Sequence, residues 1–160
     1  MRHSPRPAQL GLVLLLSACA GGSPSTFMLN SASVDSAYTC PVGTANAPYT
    51  LQATIDVRNG TASSVTIKSV AAALTLAAVK GGWLEHVGDK YDASGVTYSP
   101  DAVGAGSSAS LKVSIPSACT NGKTPSTGSN YGEYSVDLTV VTSSGTHTIT
   151  SKNRHRIIAA

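Results

Sequence analysis

The sequence is poor in charged and aromatic residues, which make up 12% and 5% of its 160 positions. Of the eleven Lys and Arg residues, nine remain beside eight acidic ones once Arg2 and Arg6 are set aside with the N-terminal segment. A nucleic-acid-binding domain would be far more basic. Helical bundles are usually richer in Leu, Glu and Lys than this chain, in which Ser, Thr, Ala, Gly and Val dominate. The composition therefore argues against a nucleic-acid partner and favours an all-β fold.

The N-terminal segment lacks an apolar run long enough to cross a membrane. Its apolar core, Leu10 to Leu16, is short, whereas a helix that crosses a bilayer needs roughly 20 residues. Arg2 and Arg6 precede this core, and the small residues Ser17 and Ala18 follow it. A basic start, a short apolar core and small residues before a cleavage site are typical of a secretory signal, so the segment predicts export.

The end of this segment, Leu16-Ser17-Ala18-Cys19, resembles the lipobox of bacterial lipoproteins. The resemblance implies that residues 1–18 are a lipoprotein signal peptide and that Cys19 becomes the acylated first residue of the mature protein. The diacylglycerol has two acyl chains, which anchor a protein stably where one chain binds weakly. The protein is then expected in the bacterial cell envelope, anchored on the extracytoplasmic side of a membrane (outer membrane and periplasm, or cell surface).

The same segment allows a second interpretation. Ala18-Cys19-Ala20 is also an A-x-A-like cleavage site, so ordinary cleavage followed by secretion is the alternative to a lipid anchor. In the lipoprotein interpretation, residues 19–37 form a lipid-attached flexible tether and residues 38–160 form a single domain.

Two cysteines remain once Cys19 is set aside, namely Cys40 and Cys119. An even pair in an exported chain predicts a disulfide. Closing a loop of about 80 residues is expected to stabilise the fold by roughly 4–5 kcal/mol. A metal-binding or catalytic pair is the alternative, but no histidine is near either cysteine in sequence and the spacing fits no zinc pattern.

Alternating apolar and polar residues predict strands along most of the remaining chain. The clearest alternation covers Tyr49 to Arg58, and a second predicts a hairpin in which Tyr134 to Thr142 turns back at Ser143-Ser144-Gly145. The other predicted strands are Val65–Val70 with a register break near Ser69, the more ambiguous Ala71–Val79, Trp83–Val87, Val96–Tyr98, and Ser110–Ile115 ending at Pro116.

About seven such strands predict an antiparallel β-sandwich with one disulfide. The segments Val57–Thr61, Leu111–Pro116 and Gly132–Val136 resemble strands of immunoglobulin-like bacterial domains. The cysteines flank strands instead of lying within two facing strands, and this differs from antibody-type domains. The predicted fold is therefore an immunoglobulin-like sandwich without the antibody-type disulfide.

No pattern in the sequence indicates catalysis, and we expect neither an enzyme nor a cofactor or metal site. A Gly-x-Ser-x-Gly motif is absent. The histidines of the domain, His86, His147 and His155, are isolated and expected at the surface. Three acidic residues of the central region lack the repeated spacing of a calcium loop, which leaves them as solvated charges: Asp89, Asp92 and Asp101.

Two groups of residues are candidates for binding. Trp83, Tyr91 and Tyr98 lie in the central region, where aromatic side chains on loops can form a recognition patch or close the core. A basic group near the C terminus either contacts anionic lipid or cell-wall polymer or is a solvated strand end: Lys152, Arg154, His155 and Arg156.

The sequence as a whole predicts a non-catalytic β-sandwich that acts in interaction or support at the cell envelope. Its expected partners are the membrane, through the lipid on Cys19, and an unknown envelope protein or glycan. The alternatives are a periplasmic carrier of a small ligand or metal, or a hydrolase.

Overall fold

A computed structural model describes residues 26–43, 46–119 and 130–159 of the chain. These residues form eleven strands and no helix, so nothing in the described ranges has the form of a membrane-spanning helix. In chain order the strands are β1 (Phe27–Val34), β2 (Ala37–Thr39), β3 (Ala47–Asn59), β4 (Val65–Lys80), β5 (Lys90–Asp92), β6 (Thr97–Ser99), β7 (Ala102–Val103), β8 (Ser108–Cys119), β9 (Tyr131–Thr142), β10 (Gly145–Thr150) and β11 (His155–Ile158).

The strands form two sheets. The smaller sheet has the order β1-β3-β8-β6, and the larger one has the order β2-β11-β9-β4-β5, with β10 beside β9 and β7 beside β4. Neighbouring strands are antiparallel except for β2 and β11, which are parallel. The predicted all-β, immunoglobulin-like sandwich is confirmed. Its strands outnumber the expected seven because several edge strands are only two to four residues long.

The core lies between the two sheets and follows the predicted alternation. Leu51, Ile55 and Val57 of β3 are buried, as are Val136 and Leu138 of β9. Full burial of one such side chain contributes about 1.5–3 kcal/mol relative to exposure in water. The long central strands β3, β4, β8 and β9 therefore hold the sandwich together, and the short strands close its edges.

Strand β4 joins two segments that the sequence predicts separately. Val65–Val70 and Ala71–Val79 form one strand, and its pairing with β9 shifts register between Ile67 and Ser69, at the break expected near Ser69. Such a shift is a bulge, which bends a strand without ending it. The ambiguous alanine-rich segment is a strand because its inward positions, including Leu74 and Leu76, are buried under the smaller sheet.

One predicted strand and one predicted strand end are wrong. Trp83–Val87 is a loop, since Gly81 and Gly88 both have a positive φ and the N–H of Gly88 returns to the carbonyl of Leu76 at 2.8 Å. Strand β8 does not stop at Pro116 but continues to Cys119. Strand β6 pairs with β8 only at residues 112–114, so the proline lies on a free edge, where a missing N–H breaks no ladder bond.

The predicted boundary between tether and domain also needs correction. Residues 27–34 form β1, which pairs with β3, and residues 37–39 form β2, which pairs with β11. The side chain of Asn153 adds two hydrogen bonds to the backbone of Val34, at 3.1 Å and 2.7 Å. Residues 27–34 and 37–39 therefore belong to the two sheets and not to a flexible tether. The predicted signal peptide and Cys19 lie outside the described residues.

The predicted disulfide between Cys40 and Cys119 is confirmed. Cys40 follows β2 of the larger sheet and Cys119 ends β8 of the smaller one, with their Cα atoms 5.8 Å apart. This separation is within the usual range for a disulfide. The bridge ties the two sheets together at one end of the sandwich, which we call the disulfide end.

Candidate functional site

Two of the three aromatic candidates meet at the disulfide end. Trp83, in the loop after β4, and Tyr91, on β5, both contact Tyr134 of β9. Tyr98, on β6, packs against another part of the core, and its hydroxyl donates to the carbonyl of Ile67 at 3.3 Å. Trp83 and Tyr91 are therefore joined through Tyr134, which the sequence predicts to face the core. Tyr98 does not belong to this group.

Tyr134 is the centre of this aromatic group. Its hydroxyl accepts a hydrogen bond from the indole N–H of Trp83 at 3.1 Å and donates one to the carboxylate of Glu85. The Trp83 ring fits over Gly132, where a Cβ atom would lie 2.7 Å from the indole. Burial raises the pKa of Tyr134, and the hydrogen bond to Glu85 raises it further.

A cavity of about 480 Å³ opens beside this group, between the two sheets. Its size is within the range of small-molecule sites. Tyr91 and Tyr134 provide aromatic walls, with ring centroids 6.1 Å apart and planes at 71°. The remaining lining residues are Glu85, Asp92, Ala93, Ser94, Pro116, Ser117, Ala118 and Ile157.

A second polar group crosses the sandwich near the disulfide. The neutral ring of His155 donates from Nδ1 to the carbonyl of Asp35 at 2.7 Å, which leaves Nε2 to accept from the hydroxyl of Tyr49 at 3.0 Å. Tyr38 stacks on Tyr49, with ring centroids 4.1 Å apart. His155 is buried, contrary to the surface position expected from sequence, and burial lowers its pKa.

These groups are arranged for hydrogen bonding more than for nucleophilic chemistry. Burial raises the pKa of Tyr49, Tyr91 and Tyr134, so all three phenols stay protonated at neutral pH and act as donors. The hydroxyl of Tyr91 lies 3.3 Å from that of Ser117. This serine has no histidine partner in the described hydrogen bonds, and such a base would be needed to activate it.

The acidic candidates for a metal site are dispersed. The carboxylate of Asp89 accepts from the N–H of His86 at 2.8 Å, while Asp92 lies on β5 and Asp101 lies just before β7. Within the three described ranges, no three His, Cys, Asp or Glu side chains are grouped so that they could share a metal ion.

The basic C-terminal group is largely paired. Glu133 accepts from Arg156 at 2.5 Å and from Arg154 at 3.4 Å, and these contacts lower its pKa. The guanidinium of Arg156 also lies 4.2 Å from the centroid of the Tyr131 ring. Because His155 points into the core, the sequence cluster does not form a single basic patch.

Sequence reasoning missed the site residues whose partners are far along the chain. Tyr49 and His155 are 106 positions apart, and Trp83 and Tyr134 are 51 apart. The available signals were weak: Gly132 two positions before Tyr134 in an otherwise alternating strand, and a lone carboxylate at Glu85 close to Trp83. Neither reveals which strands meet across the sandwich.

No family model matches the chain, and no curated protein matches it. Among solved structures, PapD-like domain 7 of human CEP192 is similar over 98% of both chains, at 14% identity and a TM-score of 0.30. AggA, the major subunit of aggregative adherence fimbriae type I from Escherichia coli, is similar over 84% of this chain and 95% of its own, at 8% identity and a TM-score of 0.36. The Vibrio cholerae VesB protease is similar over 80% of this chain and 32% of its own, at 13% identity and a TM-score of 0.27. Similarities of this strength identify neither a family nor a function.

Proposed function

We propose that this chain is an exported, lipid-anchored β-sandwich of the bacterial cell envelope that binds a partner without catalysing a reaction. Residues 1–18 act as the signal, and Cys19 bears the lipid. The Cys40–Cys119 disulfide supports export, because such bridges form and persist in oxidising compartments outside the cytoplasm.

One observation carries the binding role, namely the clustering of exposed apolar side chains at the disulfide end. The described residues include five large apolar side chains that are exposed. Four of them lie at this end, after β2, at the end of β4 and in the loop that follows β4: Val42, Val79, Leu84 and Val87. Exposed apolar side chains grouped in one region mark interaction sites in soluble proteins. We therefore place the contact with an envelope protein or glycan at this end.

The cavity supports a second candidate, a carrier of a small ligand. It has the volume and the mixed aromatic and polar lining of ligand sites, and Trp83 lies behind one of its walls. A carrier and an interaction module would use the same end of the sandwich, and the two differ in whether the bound group is free or belongs to a macromolecule.

The lipid anchor is tested by replacing Cys19→Ser in the full-length chain. The wild-type protein should fractionate with membranes and incorporate an alkyne-bearing fatty acid, because thioether lipidation needs the Cys19 sulfur. The variant should lose the label and leave the membrane fraction. Ser25→Ala, six residues further on, is the matched control and should keep both. Unchanged membrane association of the Cys19→Ser protein would contradict the anchor.

A further inference from the structure

We infer that the cavity at the disulfide end binds an alkylammonium group, that is, a protonated amine carried on a short apolar stem. This inference rests on the proposed function, since it names the chemistry recognised at the proposed binding end. It is carried by the coincidence of carboxylates, aromatic faces and apolar walls in one space of about 480 Å³.

The charge of the residues that line the cavity determines the sign of the charge that a ligand should have. Glu85 and Asp92 both line the cavity, and none of its lining residues is Lys, Arg or His. One oxygen of the half-buried Glu85 accepts from Tyr134, and no hydrogen bond or ion pair within the described part of the chain involves its other oxygen. A carboxylate that is partly removed from water and lacks a cationic neighbour attracts a cation and disfavours an anion.

Asp92 contributes less than Glu85 to this charge. It also lines the adjacent hollow on the outer face of the larger sheet, together with Lys90. Lys90 and Asp92 are both exposed on β5, so solvent and the neighbouring ammonium group screen Asp92. Glu85 is therefore the residue on which recognition of the cation depends.

The aromatic walls favour an organic cation. Tyr91 and Tyr134 line the cavity together with Glu85, and the edge of one ring meets the face of the other. An ammonium group within about 6 Å of such a face is attracted by the electrons of the ring. Both phenols stay protonated because burial raises their pKa, so the aromatic walls add no charge of their own.

The rest of the cavity fits an apolar stem. Ala93, Pro116, Ala118 and Ile157 line it from both sheets. A simple metal ion or inorganic cation would leave these surfaces without a contact, whereas an alkyl chain would cover them. An amine on a chain of a few methylene groups satisfies the carboxylate, the aromatic face and the apolar walls together.

Two sources can present this group: a free aliphatic amine, or a lysine side chain of a partner polypeptide. They share the terminal ammonium and the methylene stem. The length of the probe and the presence of a peptide backbone distinguish them, so both enter the experiment as separate arms.

The test uses the full-length lipoprotein in detergent and measures binding by isothermal titration calorimetry. Trp83 is the single tryptophan of the chain and contacts Tyr134, so its fluorescence reports changes at the cavity. Butylamine should bind saturably at neutral pH, at least tenfold more tightly than butan-1-ol and butyrate. A short lysine-containing peptide with a blocked N terminus forms the second arm, and tighter binding in that arm assigns the site to a polypeptide partner.

Glu85→Gln should weaken butylamine binding at least tenfold while leaving the affinity for butan-1-ol unchanged. Asp137→Asn is the matched control, because Asp137 is a carboxylate of the larger sheet that does not line this cavity. Tyr91→Leu keeps the carboxylate and removes one ring, and should weaken the amine severalfold. Circular dichroism checks that each variant is folded.

The inference is overturned if butan-1-ol binds as tightly as butylamine, if folded Glu85→Gln binds the amine as the wild type does, or if neither arm gives a saturable change. None of these outcomes bears on membrane anchoring, which the Cys19→Ser fractionation measures separately. Failure of the cation site and failure of the proposed envelope role are thereby distinguishable.

Discussion

The two ends of the sandwich satisfy their buried polar groups in different ways. At the end opposite the disulfide, the side chain of Asn59 is fully buried, and its amide donates to the carbonyls of Ser63, Val103 and Gly104 at 2.8–3.1 Å. Its oxygen accepts from both the backbone and the hydroxyl of Thr61. We call this the Asn59 end. Its polar atoms are paired mainly with backbone groups of nearby loops.

The disulfide end depends instead on side chains that bond to one another. Tyr49 pairs with His155, and Trp83 and Glu85 pair with Tyr134. This end also contains the cavity and most of the exposed large apolar side chains. The comparison shows that the Asn59 end pairs its buried amide with backbone groups, whereas the disulfide end has a carboxylate, aromatic rings and apolar residues around one cavity.

The largest loss of stability is expected from removing the disulfide at the disulfide end. Changing both Cys40→Ser and Cys119→Ser should lower the free energy of unfolding by about 4–5 kcal/mol, because a loop of 79 residues is no longer closed in the unfolded chain. Urea denaturation measures the change. Treatment of the wild type with a reductant is the matched control and should give a similar loss. A loss below about 1 kcal/mol would show that the sheets hold this end together without the disulfide.

A smaller loss is expected at the other end from Asn59→Ala. The substitution removes one donor from each of three carbonyls and the acceptor of Thr61, and we expect a cost of about 3 kcal/mol in the free energy of unfolding. Asn30→Ala, at an exposed position of β1, is the control and should change stability by less than about 0.5 kcal/mol. Equal effects of the two substitutions in urea denaturation would contradict the role given to Asn59.

The smallest expected effect is a loss of stability at acid pH, and it arises from His155 at the disulfide end. Burial lowers the pKa of His155 below its ordinary value of 6.5, so the unfolded chain takes up a proton before the folded protein does. The contribution of the neutral ring is complete above pH 6.5 and is lost as the pH falls from there toward the lowered pKa. Thermal unfolding between pH 8 and pH 5 should therefore show a falling midpoint below pH 6.5.

His155→Asn is the control for this pH dependence, since it removes the titrating ring. The loss between pH 6.5 and pH 5 should be smaller in the variant than in the wild type. The carboxylates with a lowered pKa, Asp56 and Glu133, have ordinary values near 4 and lose their contribution at more acidic pH. An identical decline in both proteins would assign the acid sensitivity to another group.

The sequence predicts the centre of this fold well and its edges poorly. Tyr49–Arg58 and Tyr134–Thr142 are long enough for the alternation to be unambiguous, because one face is buried and the other wet. Strand β1 lies within residues 19–37, over which the sequence predicts a flexible tether, and its polar residues Asn30, Ser31 and Ser33 interrupt the apolar alternation. It is a strand because β3 offers a free edge to it, and that is a property of the other segment.

The candidate site was accessible from the sequence only in part. Trp83 and Tyr91 stand out because aromatic residues are scarce, and the cysteine pair follows from counting. Glu85 and Tyr134 become candidate site residues only through a contact between a loop and a strand that are 49 positions apart. Local patterns hold no information about that contact, so the cavity and its carboxylate emerge only from the three-dimensional arrangement.

The proposal that this domain is oxidised and anchored outside the cytoplasm is tested by mass spectrometry of the protein purified from cells without reductant. We expect an N-terminal peptide that begins at a diacylglyceryl-modified Cys19, together with linked peptides containing Cys40 and Cys119. An intact N terminus at Met1 with free thiols at both remaining cysteines would contradict it.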